Sequence, residues 1–151
     1  MKKDLKQILY FLVCAACLVA ADQAAKSAAV RFLKGKDPLV LLPGVLEFSY
    51  VENRGAAFGM LQQRQVFFFV MTICALLIIA WLFLFRIPSS PRFTWMNLAC
   101  LLVFSGAVGN FIDRLRQGYV VDLIYVRLID FPVFNLADCY ISVASAGLSC
   151  C

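Results

Sequence analysis

Apolar residues run along this chain in long blocks separated by short polar stretches, with little of the periodic alternation that would leave one face for water. Four blocks stand out: Ile8 to about Ala29, Val66 to Phe85, about Thr94 to Ile112, and about Val133 to Cys151. A helix needs about 20 mainly apolar residues to cross the hydrocarbon core of a bilayer, so the pattern predicts four transmembrane helices. The second block is the cleanest, an uncharged run bounded by Arg64 and Arg86. The first carries Asp22 and Lys26 near its far end, one helical turn apart, where they share a face and can pair. Ser105, Gly106 and Gly109 give the third a small-residue face suited to close helix contact. Between the first two blocks, Leu46, Phe48 and Tyr50 alternate with Glu47, Ser49 and Val51, following a Pro43-Gly44 turn signal. That stretch predicts a small extracytoplasmic β-element on the membrane surface. The fold class is therefore an all-α integral membrane protein with a β-element between helices one and two. No internal repeat or long linker divides it, so residues 1–151 read as one domain.

Composition supports this reading. The chain is 63% hydrophobic and only 15% charged, with a mean hydropathy of +0.85; a soluble domain carries about 25% charged residues. The net charge of +5 comes from Lys and Arg dispersed among apolar runs, so the partner expected is a membrane and not nucleic acid. Lys2, Lys3, Lys6, Arg86 and Arg92 cluster near span ends on one side, which places the N-terminus inside and, with four spans, both termini in the cytoplasm. A basic start before an apolar run resembles a secretory signal peptide, but apolar character resumes past Asp22, which predicts an uncleaved first span. The seven cysteines, including Cys14-x-x-Cys17 inside the first span, read as small hydrophobes. The absence of histidine removes Ser-His-Asp and Cys-His hydrolases and H-E-x-x-H zinc sites. Neither metal nor cofactor is expected.

The informative residues are carboxylates at membrane depth, which are functional candidates by default. Asp22, Asp113, Asp122 and Asp138 all fall near predicted outer span ends. Asp22 has Lys26 as a neutralising partner and Asp113 has the adjacent Arg114, whereas Asp122 and Asp138 have no basic residue within three positions. Two such carboxyls brought together share one proton, as in aspartic proteases; the alternative is that they cap helices. Asn53, Asn110 and Asn135 lie beside Arg54, Arg114 and Asp138, and an asparagine can bridge a peptide N–H and C=O, so they either clamp an extended substrate or satisfy loop backbone. Gly55 and Gly59 around Ala56-Ala57-Phe58 suit a tight loop, with Phe58 entering the membrane interface. A rival class is a small proton-coupled transporter, which would place its carboxylates nearer the bilayer midplane.

These residues also fall into motifs. Asp22-Gln23-x-x-Lys26, Asn53-x-Gly55-x-Ala57-Phe58, Gly106-Ala107-x-Gly109-Asn110-x-x-Asp113-Arg114, Val120-Val121-Asp122 and Phe131-Pro132-x-Phe134-Asn135-x-Ala137-Asp138 occur in this order. The chain thereby resembles the lipoprotein signal peptidases, the bacterial signal peptidase II family, over essentially its whole length. The resemblance implies an aspartyl endopeptidase of the bacterial inner membrane, with its site towards the extracytoplasmic face. Its substrates would be diacylglyceryl-modified prolipoproteins, cut just before the lipid-bearing Cys, and globomycin-type cyclic peptides would inhibit it. It puts the catalytic pair on Asp122 and Asp138 and substrate-binding side chains on Asn53, Asn110, Arg114 and Asn135. Asp22, Lys26, Gly55, Phe58 and Asp113 take structural or orienting places. Three departures stand out: Ala25 where the family usually has Thr, Ser105-Gly106 where Gly-Gly is common, and an end at Cys151 without a basic tail.

Overall fold

The computed structural model describes residues 3–55, 65–87 and 94–149. Three long helices dominate it: α1 (Leu5–Phe32), α2 (Gln65–Trp81), which continues through a π-helical turn at Leu82–Arg86, and α3 (Trp95–Gln117). Among the described residues these are the three helices long and apolar enough to cross a membrane. Their outward side chains, including Leu9, Leu12, Val13, Val66, Val70, Met71, Leu77 and Ile78, are exposed. Apolar surface of that extent is stable against lipid and not against water. The chain is an integral membrane protein.

Helix ends follow local chemistry. Asp4 caps α1 by accepting from Gln7 N at 2.8 Å, and Thr94 caps α3 by accepting from Asn97 N at 3.4 Å. Gly118, at φ 80°, ends α3 in the left-handed region that glycine enters without penalty. That turn sends the chain straight into a strand. The third helix therefore runs five residues beyond the predicted end at Ile112, through Gln117, because its last turn is built from polar Asp113, Arg114 and Arg116, which an apolar pattern does not count. The last helix, α4 (Leu136–Ser149), starts three residues later than predicted.

The β-element is larger than expected. β1 (Leu39–Leu42) and β2 (Leu46–Asn53) form the hairpin about Pro43-Gly44, with Gly44 at φ 73°. β3 (Val120–Val126), between α3 and α4, pairs antiparallel with β2, giving the order β1-β2-β3. A β-element confined between helices one and two is thus corrected to a sheet shared by both outer connections. Val120, Val121 and Ile124 are β-branched, but next to an apolar block they merge with it. Val121 and Leu123 pack on Ala29, tying the sheet to the end of α1.

α3 and α4 approach closely on the predicted small-residue face. A Cβ built on Gly106 would lie 2.5 Å from Ala137 O, and one on Gly109 would lie 2.6 Å from Asp22 Oδ2. Both positions need glycine for space.

Candidate active site

Asp122 sits in the middle of β3, where its backbone pairs with Val51, and not at a span end as the apolar pattern suggested. Asn53 pairs with Val120 two residues along the same two strands. The side-chain period of two then puts Asn53 and Asp122 diagonally on one face, and Asn53 Nδ2 donates to Asp122 Oδ2 at 2.9 Å. Asn53 is itself oriented by Gly55, whose backbone N donates to Asn53 Oδ1 at 3.0 Å.

Asp138 lies in the first turn of α4. Asn135 just before it makes a reciprocal cap: Asp138 N donates to Asn135 Oδ1 at 3.0 Å, and Asn135 N donates to Asp138 Oδ2 at 3.3 Å. The cap and the dyad were alternatives in the sequence; the geometry lets one carboxylate serve both. Its other oxygen, Oδ1, accepts from Asn110 Nδ2 on α3 at 2.9 Å. Asn135 also reaches across, with Nδ2 donating to Asp122 Oδ1 at 2.6 Å. Each oxygen of both carboxyls therefore faces an N–H donor.

Behind them lies a buried ion cluster. Lys26 Nζ contacts Asp22 Oδ2 at 2.9 Å, the pair predicted from spacing, and also Asp113 Oδ2 at 3.0 Å and Asn110 Oδ1 at 2.9 Å. Asp113 was expected to pair with Arg114. It pairs with Lys26 instead, because adjacent residues on a helix point about 100° apart, and its Oδ2 also accepts from Val121 N at 3.1 Å. Arg114 turns the other way, with Nη2 3.5 Å from Gly55 O and its guanidinium over Phe68 at 4.8 Å. Gln23 Nε2 joins the cluster, 2.9 Å from Asp113 Oδ1 and 3.2 Å from Gly109 O. The motif containing Gln23 was visible in the sequence, but its role was not. Asp22 Oδ1 accepts from Ala137 N at 3.0 Å, which fixes the start of α4 next to Asp138.

In front of the carboxyls is a cavity of about 750 Å³ lined by Asn53, Arg54, Gly55, Asn110, Arg114, Asp122 and Asp138 on its polar side. Phe131, Pro132, Val133, Phe134 and Val143 supply apolar wall. Asn135 is 0% exposed and lies behind this wall, not on it. Burial pushes the Asp122 carboxyl up to about 6; the Asp138 charge adds to this, while the hydrogen bonds from Asn53 and Asn135 and the Lys26 charge oppose it. Ala56, Ala57, Phe58 and Gly59 lie outside the described residues.

The family model for "Signal peptidase (SPase) II" matches residues 14–151. The chain belongs to the signal peptidase II family. A lipoprotein signal peptidase of Streptococcus pyogenes serotype M5 (strain Manfredo) is 39% identical over 142 residues, 93% of this chain and 91% of that protein. Its counterpart in serotype M3 (strain SSI-1) is 38% identical over the same span. Two solved structures, described as bacterial membrane enzymes determined by the in meso method at 2.3 and 1.9 Å resolution, superpose with TM-scores of 0.84 and 0.82. Both are 33% identical and cover 96% of this chain, matching 87% and 92% of their own lengths. Membership of the signal peptidase II family makes the chain a membrane protease. The transporter reading finds no support among these relatives.

Proposed function

We propose that Asp122 and Asp138 are the catalytic dyad of an aspartyl endopeptidase that removes the signal peptide from diacylglyceryl-modified prolipoproteins just before the lipid-bearing Cys. The observation that carries this reading is Asn135, which joins Asp122 to Asp138 directly beneath the cavity. Asp122, whose carboxyl is pushed up by burial, holds the dyad's proton. Asp138, at the positive end of α4, is the ionised partner. A water between them loses a proton to Asp138 and its oxygen bonds to the scissile carbonyl carbon, while Asp122 gives its proton to the carbonyl oxygen. Collapse of the tetrahedral species breaks the C–N bond; the amine leaves with the proton from Asp138, and the carbonyl's proton returns to Asp122.

The substrate must present an extended peptide, and unpaired backbone groups in lipid cost several kcal/mol each. Asn53, Asn110 and Arg114 line the cavity where those groups would sit. Asn135, being fully buried, supports the dyad from behind. Asp22, Lys26, Asp113 and Gly55 hold these side chains in place.

In this reading residues 1–151 form one domain with α4 as a short fourth span. α4 packs on α3 at Gly106, and Tyr140 Oη donates to Leu18 O of α1 at 3.1 Å. Both termini are cytoplasmic and the sheet and dyad face the outer side of the bacterial inner membrane. At about 1.5 Å per residue, Asp22 lies about 26 Å along α1 from Leu5, which supports a site near the outer surface. Membrane lipids surround the helices, and globomycin-type peptides would occupy the same cavity. The experiment is cleavage of a lipid-modified prolipoprotein by purified wild type, Asp122→Asn and Asp138→Asn, with folding verified by thermal melting. Each folded variant should lose activity by at least about 10³-fold; wild-type cleavage by either would end the dyad reading.

A further inference from the structure

The ion cluster behind the dyad has a connection that this chemistry does not use. Lys26 is 3% exposed, and its ammonium has three N–H groups to place. Asp22 and Asp113 are its charge partners, but the remaining acceptor is an amide oxygen, Asn110 Oδ1 at 2.9 Å. A carboxamide carries its oxygen and nitrogen on opposite sides of one carbon, so fixing the oxygen also aims the nitrogen. With Oδ1 held by Lys26, Nδ2 of Asn110 faces Asp138 Oδ1 at 2.9 Å. Turned over, the same amide would set oxygen against oxygen and release the carboxylate. The other two amides at the dyad are pinned by backbone N–H groups close in sequence, Gly55 for Asn53 and Asp138 for Asn135. Asn110 Oδ1 is held from outside its own helix, by Lys26 of α1 at 2.9 Å and at the longer distance of 3.2 Å by Asn135 Nδ2, whose shorter bond, 2.6 Å, goes to Asp122 Oδ1.

We propose that Lys26 is a positioning residue for peptide cleavage: by donating to Asn110 Oδ1 it locks that amide with its N–H towards Asp138 and so holds Asp138 aimed at the substrate. This rests on the dyad reading. Every charged group facing the cluster is accounted for. Asp22 on α1, Asp113 on α3, Asp122 on β3 and Asp138 on α4 are acceptors, and the other cation, Arg114, is directed to Gly55 O and the Phe68 ring. Among the described residues no second cation donates to Asn110. What Asn110 needs from Lys26 is a donor, and this separates the idea from a simple requirement for charge.

The test uses two double variants of the full chain, Lys26→Met/Asp113→Asn and Lys26→Gln/Asp113→Asn. Each leaves the Asp22–Lys26–Asp113 trio with its wild-type net charge, but only the glutamine can replace the N–H that position 26 gives Asn110, while the Asn135 contact is unchanged in both. With a lipid-modified prolipoprotein as substrate, the methionine pair should lose roughly 10²-fold in kcat, as expected for a misplaced catalytic group. Its KM should stay within about 2-fold, because binding is not what is lost. The glutamine pair should recover most of kcat. Phe83→Ala is the control: it loosens the Phe11–Phe83 packing without touching Asn110 or its partners, and should leave kcat per folded molecule near wild type. Equal kcat in the two pairs, a loss confined to KM, or a matching kcat loss in Phe83→Ala would overturn the proposal.

If neither pair folds, the wild-type protein decides. The ¹⁵N-labelled side-chain amide of Asn110, assigned by its loss in Asn110→Ser, should be protected from exchange with D₂O; exchange as fast as an exposed asparagine's would refute the lock. Cleavage by Asp122→Asn or Asp138→Asn would bring down the dyad itself. Loss in both of those with no difference between the methionine and glutamine pairs would bring down only the role of Lys26.

Discussion

The two ends of the helix bundle are held together by different physics. At one end, Phe11 of α1 stacks on Phe83 beyond α2 with ring centroids 4.1 Å apart, and Ala15, Ile79, Ile87, Cys100 and Leu101 complete an apolar cluster. Lys3 closes that end, with Nζ 3.0 Å from Asn97 Oδ1 and 4.7 Å above the Phe83 ring. At the other end α1, α3, β3 and α4 meet through Asp22, Gln23, Lys26, Asn110, Asp113, Asp122, Asn135 and Asp138. Lipid tails are as apolar as leucine, so burying apolar surface gives helices in a membrane no strong reason to associate; the apolar end relies on fit and dispersion. The polar end relies on contacts that hold only when every partner is present. Fit tolerates small changes, whereas a closed polar network enforces one arrangement, and a catalytic pair needs that.

The largest effect should therefore come from breaking the network at its hub. Lys26→Met leaves Asp22 and Asp113 buried, close together and without their cation. Removing one partner of a buried ion pair destabilises by about 3–5 kcal/mol, so little folded protein should be recovered. Thermal unfolding in detergent measures this. Adding Asp113→Asn should restore most of the folded fraction, since it removes the second uncompensated charge while an amide oxygen still accepts from Val121 N.

The same contrast explains what could be read from the sequence. The long apolar blocks were legible because lipid imposes a simple rule on length and composition, and the Asp22–Lys26 pair was legible because it lies within one helix. β3 was not, because its pairing with β2 is set by residues about seventy positions away. The Asp113–Lys26 contact and the Asn110–Asp138 contact join different elements, and their spacing along the chain carries no trace of them. Asn135 could be seen beside Asp138, but its reach to Asp122 depends on where β3 runs. The motif order named residues that the fold brings together without showing how one touches another.

A second test sharpens the comparison through pH. Burial raises the Asp122 carboxyl to about 6 in the fold, above its ordinary value. The folded state therefore binds this proton more tightly than the unfolded chain. Its stabilising effect is complete below the ordinary carboxylate range and is lost as pH rises through about 6. In the proposed mechanism the protonated form donates to the scissile carbonyl and is lost over the same range, so kcat should fall roughly tenfold per pH unit above that point. Asn53→Ser removes a hydrogen bond that favours the charged form, and the falling limb should move to higher pH. A limb unmoved in Asn53→Ser would show that the amide does not act on the proton of Asp122.

The smallest effect is expected at the apolar end. Phe83→Ala removes a ring that meets Phe11 and the Lys3 ammonium, and leaves a space between α1 and the π-helical turn. Lipid does not reward burial as water does, so the loss is mainly of packing, about 1–3 kcal/mol by comparison with core truncations. Unfolding in detergent should register that loss, while kcat per folded molecule and the limb near pH 6 should stay at wild-type values. The reason is separation of kind as well as of distance: no hydrogen bond or ion pair of the dyad passes through the Phe11–Phe83 cluster. If kcat fell in step with stability, the two ends would be coupled through the helices, and the apolar packing would have to be counted among the elements that aim Asp138.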